Sequence, residues 1–141
     1  MPRGNSVSAA DTAKGAYVLA DSEKAEPAVI LMGTGSEVAI CLEAFESLRS
    51  AGIPARVVSM PCWEWFEEQP ESYRNAVLPA NTKLRVGVEA GIRQGWDRYI
   101  GANGIFVGMT GFGASAPAQQ LYEKFGITAK KITSLVQKAL R

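Results

Sequence analysis

The chain of 141 residues contains no histidine and only two cysteines, Cys41 and Cys62. Without histidine, the Ser-His-Asp and Cys-His relays are excluded, and the commonest metal-binding side chain is missing. Two thiols outside a CxxC spacing do not indicate a disulfide scaffold or a zinc site. Helical spacing places Cys41 on an apolar face, where a buried thiol is expected. The missing histidine therefore limits the possible chemistry more than any motif that is present, and no metal-binding residue is predicted.

Excess charge and long apolar runs are also lacking. The 15 basic and 14 acidic side chains give a net charge of +1, whereas nucleic-acid binders usually carry a basic patch or stripe. No apolar run approaches the roughly 20 residues that a membrane-spanning helix needs, and the N-terminus lacks the apolar core of a signal peptide. We expect no nucleic-acid or membrane partner, and a cytoplasmic protein, with an organelle stroma as the alternative compartment.

Short apolar runs alternate with helical patterns along the rest of the chain. Residues 28–33 are continuously apolar, which predicts a strand buried on both faces. Residues 36–51 give the strongest helix prediction, because apolar side chains recur every three or four residues while Glu37 and the other charged residues fall mostly on other faces. Further strands are predicted at 15–20, 55–60, 84–90 and 104–109. Short helices are predicted in 63–78 and near 95–101, and two further helices over 119–125 and from Thr128 to the C-terminus.

This alternation predicts an α/β fold, with four or five strands in a mostly parallel sheet inside a three-layer α/β/α sandwich. The small and polar residues 1–13 are expected to form an interdomain linker or a disordered tail. Residues 14–141 are expected to form a single domain, since the length suits one ordinary core.

The first candidate site is the loop Gly33, Thr34, Gly35 and Ser36. It joins a strand to a helix, and free amides at a helix N-terminus can hold an anion. The loop lacks both the third glycine of a dinucleotide fingerprint and the Walker A lysine, and Glu37 already places a negative charge in the first turn. A tight turn with Ser36 as helix cap is therefore the favoured interpretation, and anion binding is the alternative.

The second candidate is the glycine-rich loop 111–117 with Glu89, which ends a predicted strand. Phe112, Gly113 and Ser115 could line a ligand or partner surface at the carboxyl edge of the sheet, where ligands of open α/β sheets bind. Equally, the glycines could be present because the loop needs backbone conformations that other residues rarely adopt, while Phe112 packs into the core. Because no second carboxylate or histidine is placed beside Glu89, a structural hydrogen-bonding role is favoured for it over acid-base chemistry.

A third feature is the aromatic and acidic segment 63–68, with Trp63, Trp65 and Phe66 between glutamates. Core packing against the sheet is its default interpretation. The alternative is a subunit interface, where aromatic residues are enriched.

Several stretches together resemble the C-terminal domain of transketolase. They are GAYVLAD, GTGSEV, ARVVSMP, the W-E-x-F-E-E-Q run, VEAG and, most specifically, GFGASAPA followed by L-Y-x-K-FGIT. The resemblance runs from about Gly15 to the end of the chain. It implies a five-stranded mixed sheet whose first strand is antiparallel to the others. In GMTGFGASAP this sequence departs from the family pattern, which has a charged residue shortly before the position of Phe112.

For the whole enzyme the resemblance implies transfer of a two-carbon ketol unit between sugar phosphates, with thiamine diphosphate and magnesium. It also implies a homodimer whose active sites are built by the N-terminal and middle domains. The family's GDG cofactor motif is absent here, so no catalytic or cofactor-binding residue carries over. We therefore expect a fragment, an expressed domain or part of a split enzyme that is inactive alone, with the other domains as partners in the same chain or a separate subunit. Its role would be structure, dimer contacts and regulation.

Two alternatives stay open. One is a regulatory module that binds an anion or nucleotide at its glycine loops. The other is the equivalent domain of another thiamine diphosphate enzyme, such as deoxyxylulose-phosphate synthase or a dehydrogenase E1 β-subunit.

Overall fold

The computed structural model shows an α/β domain. It describes residues 13–22, 26–35, 37–89, 95–101, 103–108 and 127–140. The strands are β1 (Tyr17–Ala20), β2 (Val29–Gly33), β3 (Ala55–Ser59), β4 (Leu84–Glu89) and β5 (Ile105–Gly108). The helices are α1 (Glu37–Ser50), α2 (Trp63–Glu67), α3 (Glu71–Val77), α4 (Asp97–Ile100) and α5 (Ala129–Ala139). The helix predicted over 119–125 lies outside the described residues.

The described strands form one five-stranded sheet in the order β1-β3-β2-β4-β5. β1 pairs with β3 in the antiparallel direction, and the other pairs are parallel. The mixed sheet implied by the resemblance is therefore confirmed.

The two neighbours of β2 define a topological switch point. From β2 the chain goes to β3 on one side of it and then to β4 on the other side. In open α/β sheets the crevice beyond the carboxyl ends of such strands is the usual place for a ligand. Here β2 ends at Gly33 and β4 ends at Glu89, so both residues lie at the edge where a site would be expected.

The core is divided by the sheet into two layers. One layer packs α1 and α5 against the sheet through residues such as Leu48 and Ile132, and the other packs α2, α3 and α4 through residues such as Phe66 and Trp96. All five residues of β2 are buried, which confirms the prediction of a strand covered on both faces. In α5, Ile132 and Val136 are buried, and the Thr128 hydroxyl caps the helix by accepting from the Lys131 amide at 3.2 Å.

Two strand arginines anchor helix ends on the layer of α3 and α4. Arg56 of β3 and Arg85 of β4 lie on either side of Ile30 in the sheet register. The Arg56 guanidinium donates to the carbonyls of Ala76 and Val77 at 2.9 and 3.0 Å, at the end of α3. A helix C-terminus leaves its last carbonyls without partners, so these contacts satisfy acceptors that the helix cannot.

Candidate functional site

The glycine loop after β2 is closed by its own backbone. The Glu37 amide donates to the Thr34 carbonyl at 3.2 Å, and the Val38 amide donates to the Gly35 carbonyl at 3.3 Å. Gly35 has a φ of 59°, which glycine adopts without steric cost. Two of the amides that an anion would use are thus engaged in the turn. Ser36 lies outside the described residues, and anion binding by Gly33, Thr34, Gly35 and Ser36 stays a prediction.

Glu37 departs from its expected position on a face away from the apolar residues. It is only 6% exposed, because the first turn of α1 lies directly against the end of β2. A Cβ added at Gly33 would be 3.4 Å from the Glu37 backbone and 3.0 Å from the Cys41 sulfur. The absence of a side chain at Gly33 is what allows this close approach.

Cys41 is fully buried one turn further along α1, as predicted. Burial raises the pKa of its thiol to about 12, and the nearby Glu37 charge acts in the same direction. The thiolate is the reactive form of cysteine, so Cys41 is protonated and inert at neutral pH.

Glu89, at the end of β4, accepts a hydrogen bond. The indole Nε1 of Trp96 donates to its Oε2 at 2.8 Å, which is a short, charge-assisted geometry. This contact is the structural role that the sequence favoured for Glu89. Phe112, Gly113 and Ser115 lie outside the described residues, and their role with Glu89 at a ligand or partner surface remains a prediction.

Trp96 belongs to an aromatic cluster that links α2 with α4. Its ring meets Trp63 edge to face, with centroids 5.1 Å apart, and Trp63 also lies 5.4 Å from the ring of Tyr99. The Tyr99 hydroxyl donates to the Glu67 carboxylate at 3.0 Å. Burial raises the pKa of Tyr99 to about 12, and the hydrogen bond to Glu67 adds to this shift. These contacts hold the aromatic rings of α2 and α4 against one another.

The segment 63–68 is only partly a core element. Phe66 is buried and Trp63 is half-buried, but Trp65 is 48% exposed. The prediction of core packing is therefore wrong for Trp65. The reason is that α2 is five residues long and rests on the sheet through Phe66, which directs the intervening Trp65 outward.

Sequence reasoning missed Trp96, Arg56 and Arg85. A signal for Trp96 was available in Gly87, since a glycine inside a strand often marks a close approach by another group. No comparable pattern marks an arginine in a strand as the anchor of a distant helix.

The described side chains provide no ligand cluster for a divalent metal. Nowhere in the described ranges do three or more His, Cys, Asp or Glu residues cluster as metal ligands would, and the sequence supplies no histidine. None of the described helices is long and apolar enough to cross a membrane.

Comparison with known proteins decides the family. The model of the transketolase-like TK C-terminal domain matches residues 15–128. Transketolase from Rhodobacter capsulatus is 54% identical over 135 residues, which are 92% of this chain and 20% of that protein. The chain belongs to the transketolase C-terminal domain family. Transketolase 7 from Craterostigma plantagineum is 46% identical over 95% of this chain and 20% of its own length.

Solved transketolase structures share the fold. Transketolase from Leishmania mexicana superposes with a TM-score of 0.84 at 40% identity, covering 98% of this chain and 19% of that one. A split-gene transketolase, solved as an inactive tetramer of beta chains, gives a TM-score of 0.64 at 26% identity. The match covers 89% of this chain and 42% of that one. The chain thus spans about a fifth of the length of these two curated transketolases.

Proposed function

We propose that this chain is the C-terminal domain of a transketolase that transfers a two-carbon ketol unit between sugar phosphates, and that the domain is not catalytic by itself. The family match over residues 15–128 carries this proposal. The lack of histidine in the sequence supports the second half, since proton transfers near neutral pH most often use that side chain.

The cofactors proposed for the whole enzyme, thiamine diphosphate and magnesium, would be held by other domains. The described residues offer no cluster of metal ligands, and the carboxylates near the switch point have structural positions. Glu89 accepts a hydrogen bond from the Trp96 indole, and Glu37 is buried beside Gly33.

The partners proposed are the N-terminal and middle domains, in the same chain or in a separate subunit, within a homodimer of the full enzyme. Residues 14–141 would form the domain, and residues 1–13 would form an interdomain linker or a disordered tail. The exposed Trp65 ring supports a contact with one of these partners, because aromatic side chains are enriched where protein surfaces meet.

The proposed compartment is the cytoplasm or an organelle stroma, and a chloroplastic transketolase is among the relatives.

Two measurements on the isolated chain test the proposal. Calorimetry with thiamine diphosphate and magnesium should show no saturable heat, and incubation with donor and acceptor sugar phosphates should show no ketol transfer. Turnover by the purified chain would refute the non-catalytic role. The transketolase from Rhodobacter capsulatus is the positive control.

A further inference from the structure

We propose that the amino edge of the sheet carries a binding site for a small phosphomonoester, in the cavity between the loop before β4 and the loop before β5. The cavity has a volume of about 390 Å³, within the usual range for small-molecule sites. Its lining residues are Ala80, Thr82, Lys83, Arg85, Ile100, Gly101, Asn103 and Gly104. This site lies at the opposite end of the strands from Gly33 and Glu89.

The charge of the cavity wall favours an anion. Lys83 and Arg85 are both cationic, and the lining contains no carboxylate among the residues that the structure describes. A phosphomonoester carries a charge of about −1.5 to −2 at neutral pH. This charge balances two cationic side chains better than the single charge of a monocarboxylate does. Arg85 is half-buried, so its charge is less screened by water than that of an exposed side chain.

Among the described contacts, Arg85 lacks the carboxylate partner that Arg56 has. The two arginines occupy equivalent register positions on either side of Ile30. Arg56 binds the Asp21 carboxylate through Nε and Nη2 at 3.1 and 3.0 Å. Arg85 instead makes its described hydrogen bonds only to the main-chain carbonyls of Leu78, Pro79 and Tyr99. An anion in the cavity would supply the counter-charge that Asp21 gives to Arg56.

The donors available to such an anion come from Arg85, Lys83 and Asn103. A guanidinium has five N–H donors, and the three carbonyl contacts of Arg85 use only its Nη1 and Nη2 atoms. Its Nε and the second hydrogen of Nη1 are left, among the described contacts, for a ligand. The Thr82 hydroxyl donates to the Pro79 carbonyl at 3.1 Å, so it fixes the loop and would not donate to the anion.

Two glycines shape the other wall. Gly101 has a φ of 77°, and a Cβ at Gly104 would collide with the backbone of Ile100. Larger residues at these positions would close or distort the wall of the cavity. The volume exceeds that of a bare phosphate ion, which is why the proposed ligand is an ester and not inorganic phosphate.

Amide NMR titration of the full 141-residue chain tests this inference, with glycerol 3-phosphate as the probe and acetate and chloride as matched anions. Glycerol 3-phosphate should shift the resonances of Thr82, Arg85 and Asn103 saturably, while acetate and chloride at equal ionic strength should not. Lys83→Gln should weaken binding about threefold, as expected for an exposed charge. Arg85→Lys should weaken it about tenfold, because lysine keeps the charge but loses the planar fork.

Lys138→Gln is the control, since Lys138 is exposed on α5 at the other face of the sheet, and it should bind as the parent does. Lys83→Gln remains informative if Arg85→Lys fails to fold. Three results would overturn the proposal: shifts that follow ionic strength alone, binding unchanged by Lys83→Gln, or saturable shifts confined to residues 33–38. Binding of inorganic phosphate without binding of glycerol 3-phosphate would overturn the assignment of an ester. The test is independent of the proposed function, because it measures no turnover.

Discussion

Trp96 lies directly over Gly87 in the middle of β4, so closely that a methyl group on Gly87 would be 2.8 Å from the indole ring. The indole of Trp96 is fully buried there and donates its N–H to Glu89 on the same strand. This contact holds α4 on the sheet and explains why a glycine lies between Val86 and Val88 in β4.

Gly87→Ala should lower the free energy of unfolding by about 2 kcal/mol, because the added methyl group overpacks the indole. Urea unfolding followed by tryptophan fluorescence measures this loss. Gly52→Ala is a useful contrast, since Gly52 has a φ of 79° and no atom near a new Cβ; it should cost about 1 kcal/mol through backbone strain alone.

The double variant Gly87→Ala with Trp96→Leu separates steric overlap from strand propensity. Its loss should be smaller than the sum of the two single losses, because the smaller side chain relieves the overlap. Additive losses would show that Gly87 is not needed to accommodate the indole.

Arg56→Gln should destabilise the domain by about 2 kcal/mol, since it removes bonds to the Asp21 carboxylate and to the carbonyls at the end of α3. The Arg56 side chain is only 12% exposed, whereas that of Asp21 is 40% exposed. Asp21→Asn should therefore cost less, about 0.5 kcal/mol. Urea denaturation of both variants measures the difference, and equal losses would contradict the anchoring of α3 by Arg56.

Stability should fall as pH rises from 9 towards 12. Burial raises the pKa of Cys41 from 9.0 to about 12 and that of Tyr99 from 10.0 to about 12. Between the unfolded and folded pKa values the folded chain holds more protons than the unfolded chain, so the free energy of unfolding decreases with pH. The stabilisation is fully present below pH 9 and is lost as pH rises through 12.

Urea midpoints measured across this alkaline range test the sign. Tyr99→Phe should flatten the part of the profile above pH 10, and Cys41→Ala should flatten the part that begins at pH 9. A midpoint that rises between pH 9 and pH 12 would contradict the assignment.

Trp65→Ser should change the stability of the isolated chain by less than about 0.5 kcal/mol, as is usual for an exposed side chain. If Trp65 contacts another domain or subunit, the same substitution in a full-length transketolase carrying this domain should lower the thermal midpoint of the assembled enzyme. Trp63→Ser is the contrasting variant, because Trp63 packs against Trp96 and Tyr99 and should destabilise the isolated chain as well. An assembled enzyme that is unaffected by Trp65→Ser would argue against the contact.

Much of the fold could be predicted from the sequence because its signals are local. The continuous apolar run of β2 and the helical spacing of α1 each determine burial over a few adjacent residues. The antiparallel direction of β1 was predicted only from the family resemblance. The sequence of a four-residue strand does not indicate whether it pairs parallel or antiparallel.

The contacts around the candidate site depend on residues far apart in the chain, and this is where prediction failed. Glu37 looks solvated by helical spacing, but the end of β2 covers its turn. Arg56 meets Asp21 and α3 only after the sheet has formed. Trp65 was expected in the core because residue type suggests burial, but a five-residue helix can bury only one of its faces.

We propose that this chain serves as the C-terminal domain of a transketolase and does no chemistry alone. The most direct test replaces the corresponding domain of the Rhodobacter capsulatus transketolase, its 54% identical relative, with residues 14–141 of this chain. The measurement is the rate of ketol transfer by the folded chimera, beside that of the isolated chain. We expect an active chimera and an inactive isolated chain. A folded chimera without activity, or turnover by the isolated chain, would contradict it.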